Sequence, residues 1–170
     1  EKSTLPAIRA KVGLVFQNPD DQLFSPTVRE DVAFGPLHMG LAADEIETAV
    51  TRALAQVGMA AYADRISYHL SVGEKKRIAV ATVLAMQPEL LVLDEPSAGL
   101  DPRARRSLIT LLQELPIPMI VATHDLLMAR DLLPRMVIMD NGRIMADGPT
   151  GQLLADPVFL QTHGLELPCP

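Results

Sequence analysis

The sequence predicts an α/β domain: a mostly parallel sheet flanked by helices, with a helical subdomain inserted into it. Three observations predict this. The runs "VGLVF" (Val12 to Phe16), "LLVLD" (Leu90 to Asp94) and "MIVAT" (Met119 to Thr123) are short and almost wholly apolar, as strands covered by helices on both faces of a parallel sheet are. Segments with apolar residues at helical spacing lie between them. From about Pro26 to Arg65 no strand candidate occurs, so that stretch reads as helices inserted into the α/β body.

Each element has its own signal. The first strand hands over at Gln17 to the polar loop "QNPDDQLF". In the insertion, "DEIETAVTRALAQV" places Ile46, Ala49, Val50, Ala53, Leu54 and Val57 on one helical face. Ser71-x-x-Glu74 then precedes the apolar run "IAVATVLAM", a capping box that starts a helix. After "LLVLD", the segment "DPRARRSLITLLQEL" has Asp101 as N-cap and Pro102 at the first helical position, with Leu108, Leu111, Leu112 and Leu115 facing inward. Pro116 and Pro118 stop it. Beyond "MIVAT", "RMVIMDNGRIMADG" alternates around Asn141-Gly142, the signal of a two-residue hairpin.

Composition narrows the function classes. The 170 residues suffice for one domain with a real core. With 48% apolar and 21% charged residues and a net charge of −6, no nucleic-acid surface is expected. The single cysteine, Cys169, has no disulfide partner, which fits a reducing compartment. No secretory leader is recognisable. The longest apolar run, Ile78 to Met86, falls far short of the roughly 18 residues that span a bilayer. A membrane role therefore goes through a partner protein. The chain opens with Glu1 rather than Met and reads as a processed or partial one.

Four places carry candidate chemistry. Asp94 and Glu95 end a buried strand, where α/β proteins bind ligands. Asp94 suits Mg²⁺ held through water, and Glu95 could accept a proton from an attacking water. Both could equally just end a strand in solvent. Lys75, Lys76 and Arg77 put three cations in the first turn of a helix whose dipole prefers anions. A bound anion would relieve that conflict; a solvated basic face is the plainer reading. His124 ends an apolar strand on the same edge as Asp94, in reach of a transferring phosphate, though lone histidines are commonly structural. Gln17 also ends a strand at that edge and alone means little. No histidine shows metal-ligand spacing.

In this order the pieces resemble the ATP-binding subunit of an ABC transporter, a P-loop NTPase-like fold, over nearly the whole chain. The resemblance implies that Gln17 is the Q-loop glutamine that contacts Mg²⁺ and links to a membrane partner. It makes Leu70 to Glu74 the signature motif, Asp94 the Walker B aspartate, Glu95 the general base, "SAGLD" with Ser97 and Asp101 the D-loop, and His124 the switch histidine. It further implies ATP and Mg²⁺, with Ser71 and Gly73 contacting the γ-phosphate on a second ABC ATPase subunit, identical or paralogous. Residues 1–17 and 87–149 would form an incomplete RecA-like core, 18–86 the Q-loop and helical subdomain, and 150–170 a short helical tail. The stretch "FQNPDDQLFSPTVREDVAFGP" and the finish "HGLELP" are similar to the ATPases of cobalt, nickel and energy-coupling-factor vitamin importers. Such a subunit sits on the cytoplasmic face of the cell membrane, bound to an integral membrane subunit and to no nucleic acid.

Two departures from the family pattern stand out. The signature reads "LSVGE", with Val72 for a glycine and Glu74 for a glutamine; a carboxylate near nucleotide is tolerable if turned back as a capping residue. The phosphate loop G-x-x-x-x-G-K-[ST] occurs nowhere in these residues. "EKST" at Glu1 to Thr4 mimics only its tail and reads as coincidence. Three readings follow: a part of an importer ATPase, inactive alone; a truncated non-catalytic subunit; or a non-transport ABC ATPase, disfavoured by the acidic charge and by the short stretch between Gln17 and Leu70.

Overall fold

The computed structural model describes residues 4–166. Most of "EKST", Cys169 and the end of "HGLELP" lie outside the described residues. Strands β1 (Val12–Val15), β2 (Leu90–Asp94) and β3 (Met119–Ala122) pair in parallel, in the order β1-β2-β3. A seven-residue helix, α1 (Leu5–Lys11), leads into β1.

Successive strand side chains point to opposite faces. The register, with Val12 opposite Leu90 and Leu91 opposite Met119, therefore sorts them into two sets. Val15, Leu91 and Leu93 lie on one face and share a core with Ile78 and Val83 of α4 (Val72–Leu84) and Leu108 and Leu112 of α5 (Pro102–Glu114). Gly13 belongs to the same face, and any Cβ there would collide with the Val83 side chain. Helix α4 can press against β1 only because that position has no side chain. The second face is open: Leu14 is 47% and Ile120 57% exposed. Strands apolar on both sides are here covered by helices on one side among the described residues.

The insertion is helical, as its sequence requires. Helix α2 (Val28–His38) starts with a reciprocal capping box between Thr27 and Glu30. Helix α3 (Ala43–Gln56) buries Ala49, Val50, Ala53 and Leu54, the face set by their spacing. Buried Asp31 ties the insertion together, accepting the N–H groups of Phe24 and Ser25 and the Ser67 hydroxyl at 2.6–2.9 Å. Helix α5 begins where Asp101 accepts the N–H groups of Arg103 and Ala104.

Helix α6 (Leu126–Leu132) follows β3, and β4 (Arg135–Asp140) and β5 (Arg143–Pro149) then form an antiparallel hairpin. Its turn is Asn141-Gly142, both at positive φ, as a type I′ turn demands. With α7 (Thr150–Leu153) and α8 (Pro157–Thr162), the hairpin builds a second, smaller core of Leu126, Ile138, Leu154 and Leu160. Among the described residues no helix is long and apolar enough to cross a membrane.

Candidate functional site

Strand β2 ends on Asp94, whose exposed carboxylate makes no hydrogen bond or ion pair with a described residue. The next residue, Glu95, has φ +40, a left-handed backbone that costs a non-glycine residue energy and concentrates at functional positions. Its N–H still donates to the Ala122 carbonyl at 2.8 Å, which extends the β2–β3 pairing by one residue. The turn aims the Glu95 carboxylate at the end of β3. There it accepts the Thr123 hydroxyl at 3.0 Å, the His124 N–H at 2.9 Å and the His124 ring Nδ1 at 2.7 Å. An ionised carboxylate only accepts, so Nδ1 carries the proton. The hydrogen bond to Glu95, and then the Glu95 charge, hold the exposed imidazole above its ordinary pKa. Asp94, Glu95 and His124 thus sit together at the carboxyl edge of the sheet, as their strand-end positions suggest.

Gln17 is exposed just past β1 at the same edge. Its loop is fastened to α4 at three points. Lys76 Nζ donates to the Gln17 carbonyl at 2.9 Å, Lys75 Nζ pairs with Asp20 at 2.7 Å, and the Gln22 amide donates to the Ala79 carbonyl and the Thr82 hydroxyl. Lys76 also reaches the Glu95 carbonyl at 3.1 Å. Arg77 turns the other way, to the Val57 and Ser107 carbonyls and the Ser107 hydroxyl. This corrects the reading of the three cations as an anion site or a solvated basic face. Lys75 and Lys76 are buried, and their long stems carry the charge away from the positive helix end to carbonyl and carboxylate oxygens. Burial lowers the Lys76 pKa, against the opposing pull of the Glu95 and Asp94 charges.

Ser71, Gly73, Glu74 and Asp101 line a separate cleft of about 600 Å³ between α4 and α5. Glu74 does turn back as a capping residue, accepting the Ser71 hydroxyl at 2.7 Å and the Ser71 N–H at 2.9 Å. Those two bonds, and then one from the Tyr62 hydroxyl, hold its carboxyl below the usual range. A Cβ on Gly73 would lie 3.2 Å from the Ala104 Cβ, so this glycine also lets α4 approach α5. Asp101 spends its carboxylate on the α5 N-cap, and the Ala104 and Arg103 N–H groups lower its pKa.

Ser97 is not in the cleft. It is buried and donates to Asp125 at 2.8 Å, in a network that sequence reading missed. Burial would raise the Asp125 pKa, but Arg105, the Met128 N–H and Ser97 together bring it down to about 2. Arg105 holds both Asp125 oxygens, at 2.6 and 2.9 Å. Leu14, Phe16, Phe24, Phe34, His38 and Met86 line an apolar groove of about 810 Å³, to which Asp21 and Gln22 of the Gln17 loop also contribute. Phe24 and Phe34 meet edge to face, with centroids 4.9 Å apart, and Phe24 is 63% exposed.

A profile of the ABC transporter family matches residues 1–98. An ABC transporter ATP-binding protein of Gloeobacter violaceus is 60% identical over 168 residues, which cover 98% of this chain and 69% of that one. The chain belongs to the ABC transporter ATP-binding family. The energy-coupling factor transporter ATP-binding protein EcfA of Methanothermobacter thermautotrophicus is 47% identical over 170 residues, covering 98% of this chain and 55% of that one. Among solved structures, cbiO1 from Clostridium perfringens, described as part of the ABC transporter complex cbiONQ, is similar at a TM-score of 0.85 and 38% identity, over 95% of this chain and 66% of that one. The chain spans between 55% and 69% of the length of these three proteins. ABC ATPases as a family bind ATP with Mg²⁺ and hydrolyse it.

The Glu95–His124 pair makes a direct prediction. Because the folded pKa of His124 is raised, the stabilisation it gives is fully present below about pH 6.5 and is lost as pH rises through the raised value. An NMR titration should place the His124 pKa above the ordinary imidazole value, and Glu95→Gln should bring it back. An unchanged pKa in the variant contradicts the pairing.

Proposed function

We propose that these residues are part of the ATP-hydrolysing subunit of an ABC importer, of the kind that takes up cobalt, nickel or a vitamin through an energy-coupling-factor complex. The observation that carries this reading is the meeting of Asp94, Glu95 and His124 at one edge of a parallel sheet, with the Gln17 loop beside them. The importer subclass is supported by the names of the EcfA and cbiO1 relatives.

In this reading ATP is the substrate, and the chain's own groups have distinct tasks. Among the described residues there is no cluster of three or more metal-ligating acidic, histidine or cysteine side chains. The exposed carboxylate of Asp94, with no hydrogen bond or ion pair to a described residue, fits Mg²⁺, which takes one or two carboxylates and fills its shell with water and phosphate oxygens. Asp94 would hold it, with the Gln17 side chain as second protein ligand. When bound, the ion supplies charge neutralisation to the phosphoryl oxygens. Glu95 orients the attacking water and takes its proton; its carboxylate is already fixed in direction by Thr123 and His124. His124, largely exposed and favoured in its protonated form, offers a second proton donor to the phosphoryl group. Ser71 and Gly73 at the α4 N-terminus, with Glu74 folded away, would contact the nucleotide of a second ABC ATPase subunit. Ser97 would act on that interface indirectly, through Asp125, and Asp101 by fixing the start of α5.

The apolar groove beside the Gln17 loop would receive an integral membrane subunit, which keeps the protein peripheral on the cytoplasmic face. Residues 1–17 and 87–149 would serve as RecA-like core, 18–86 as the coupling and signature segment, and 150–170 as tail. These 170 residues contain no G-x-x-x-x-G-K-[ST] loop, so on their own they are expected to turn over no ATP.

The test is Mg-ATP hydrolysis by the full-length subunit assembled with its partners. Glu95→Gln should lower kcat on the order of 100-fold or more, whereas the isolated 170-residue polypeptide should show no turnover. An unaffected rate in the variant, or Glu95-dependent turnover by the isolated polypeptide, refutes the assignment. For the membrane partner, Phe24→Ala with Phe34→Ala should weaken co-purification by about tenfold or more without changing basal ATP hydrolysis. Undiminished association contradicts the groove as its seat.

A further inference from the structure

Lys76 is 4% exposed, and a lysine is almost never fully buried unless its charge is compensated. Among the described residues no carboxylate lies within ion-pair distance of it. Its Nζ binds two backbone carbonyls instead, those of Gln17 at 2.9 Å and Glu95 at 3.1 Å. An apolar residue of similar size would fill the space at less desolvation cost. What the ammonium adds is a link between segments far apart in sequence: the loop after β1, the helix α4 and the turn after β2.

Both ends of the link are constrained. The Gln17 loop follows α4 through Lys75–Asp20 and through Gln22, which accepts the Phe16 N–H and donates to Ala79 and Thr82. At the other end, the Glu95 N–H is held by Ala122 of β3, and its carbonyl by Lys76 and the Ala98 N–H. The positive-φ conformation of Glu95, and with it the direction of its carboxylate, is therefore set partly from α4.

We propose that Lys76 is a positioning residue whose ammonium joins the carbonyls of Gln17 and Glu95, so that displacement of the Gln17 loop is passed to the Glu95 carboxylate. The proposal rests on the reading of Glu95 as the base of ATP hydrolysis. A shift of the Gln17 loop moves α4 and Lys76 with it, and the Glu95 turn must follow or lose a bond. A displaced base is costly because catalytic alignment tolerates little error.

The experiment uses the full-length subunit assembled with its partners, and measures kcat and KM for Mg-ATP together with thermal melting. Lys76→Met keeps the length of the side chain and removes its donors. It should lower kcat on the order of 10- to 100-fold while KM changes by less than about twofold. Lys76→Arg, which keeps charge and donors, should recover the larger part of that loss. Wild-type kcat in Lys76→Met, a loss confined to KM, equal losses in both variants, or failure of both to fold would overturn the proposal and leave Lys76 a structural residue. Glu95→Gln is the control. If it leaves turnover intact, the assignment of Glu95 has failed first and the proposal falls with it; if it abolishes turnover, the Lys76 results stand on their own.

Discussion

The chemistry-bearing half of this molecule depends on one hydrogen bond pattern: the parallel pairing of β2 with β3, carried one residue further by the Glu95 N–H to the Ala122 carbonyl at 2.8 Å. Parallel strands end on the same edge, so residues that follow each strand become neighbours whatever their separation in sequence. That is how Glu95 meets Thr123 and His124, and how Asp94 comes to face open solvent beside them. The extra bond holds Glu95 in a backbone conformation that a free loop would abandon.

Helix α4 is the second organising element. Its N-terminus carries Ser71 and Glu74 toward one cleft, its first turn sends Lys75 and Lys76 to the Gln17 loop and the Glu95 turn, and its middle packs against β1 across Gly13. Arg77 binds it to the end of α3 and to α5. Three surfaces, the cleft beside α5, the carboxylate edge and the apolar groove, therefore meet on one helix. The loop after β1 and the turn after β2 are held to this helix by short polar contacts.

Much of this is legible in the sequence, because its signals are local. Caps at Ser71 and Asp101, the helical faces of α3 and α5, the Asn141-Gly142 turn and the strand-end positions of Asp94 and His124 all follow from spacing within a few residues. The ordered motifs identify the ABC family, and the comparisons agree. What sequence reading missed is what tertiary contact decides. A run of three cations looks like an anion site or a solvated face, and only the fold shows that the Asp20 carboxylate and the carbonyls of Gln17, Glu95 and Val57 await them. The Ser97–Asp125–Arg105 network spans distant segments with no local pattern.

The most direct test of this account is a structure of the full-length subunit with Mg²⁺ and a non-hydrolysable ATP analogue. It should place the metal beside Asp94 and Gln17, the terminal phosphate next to Glu95 and His124, and Lys76 still bonded to the carbonyls of Gln17 and Glu95. A nucleotide bound away from the carboxyl edge of β2 and β3, with Glu95 facing elsewhere, would contradict it.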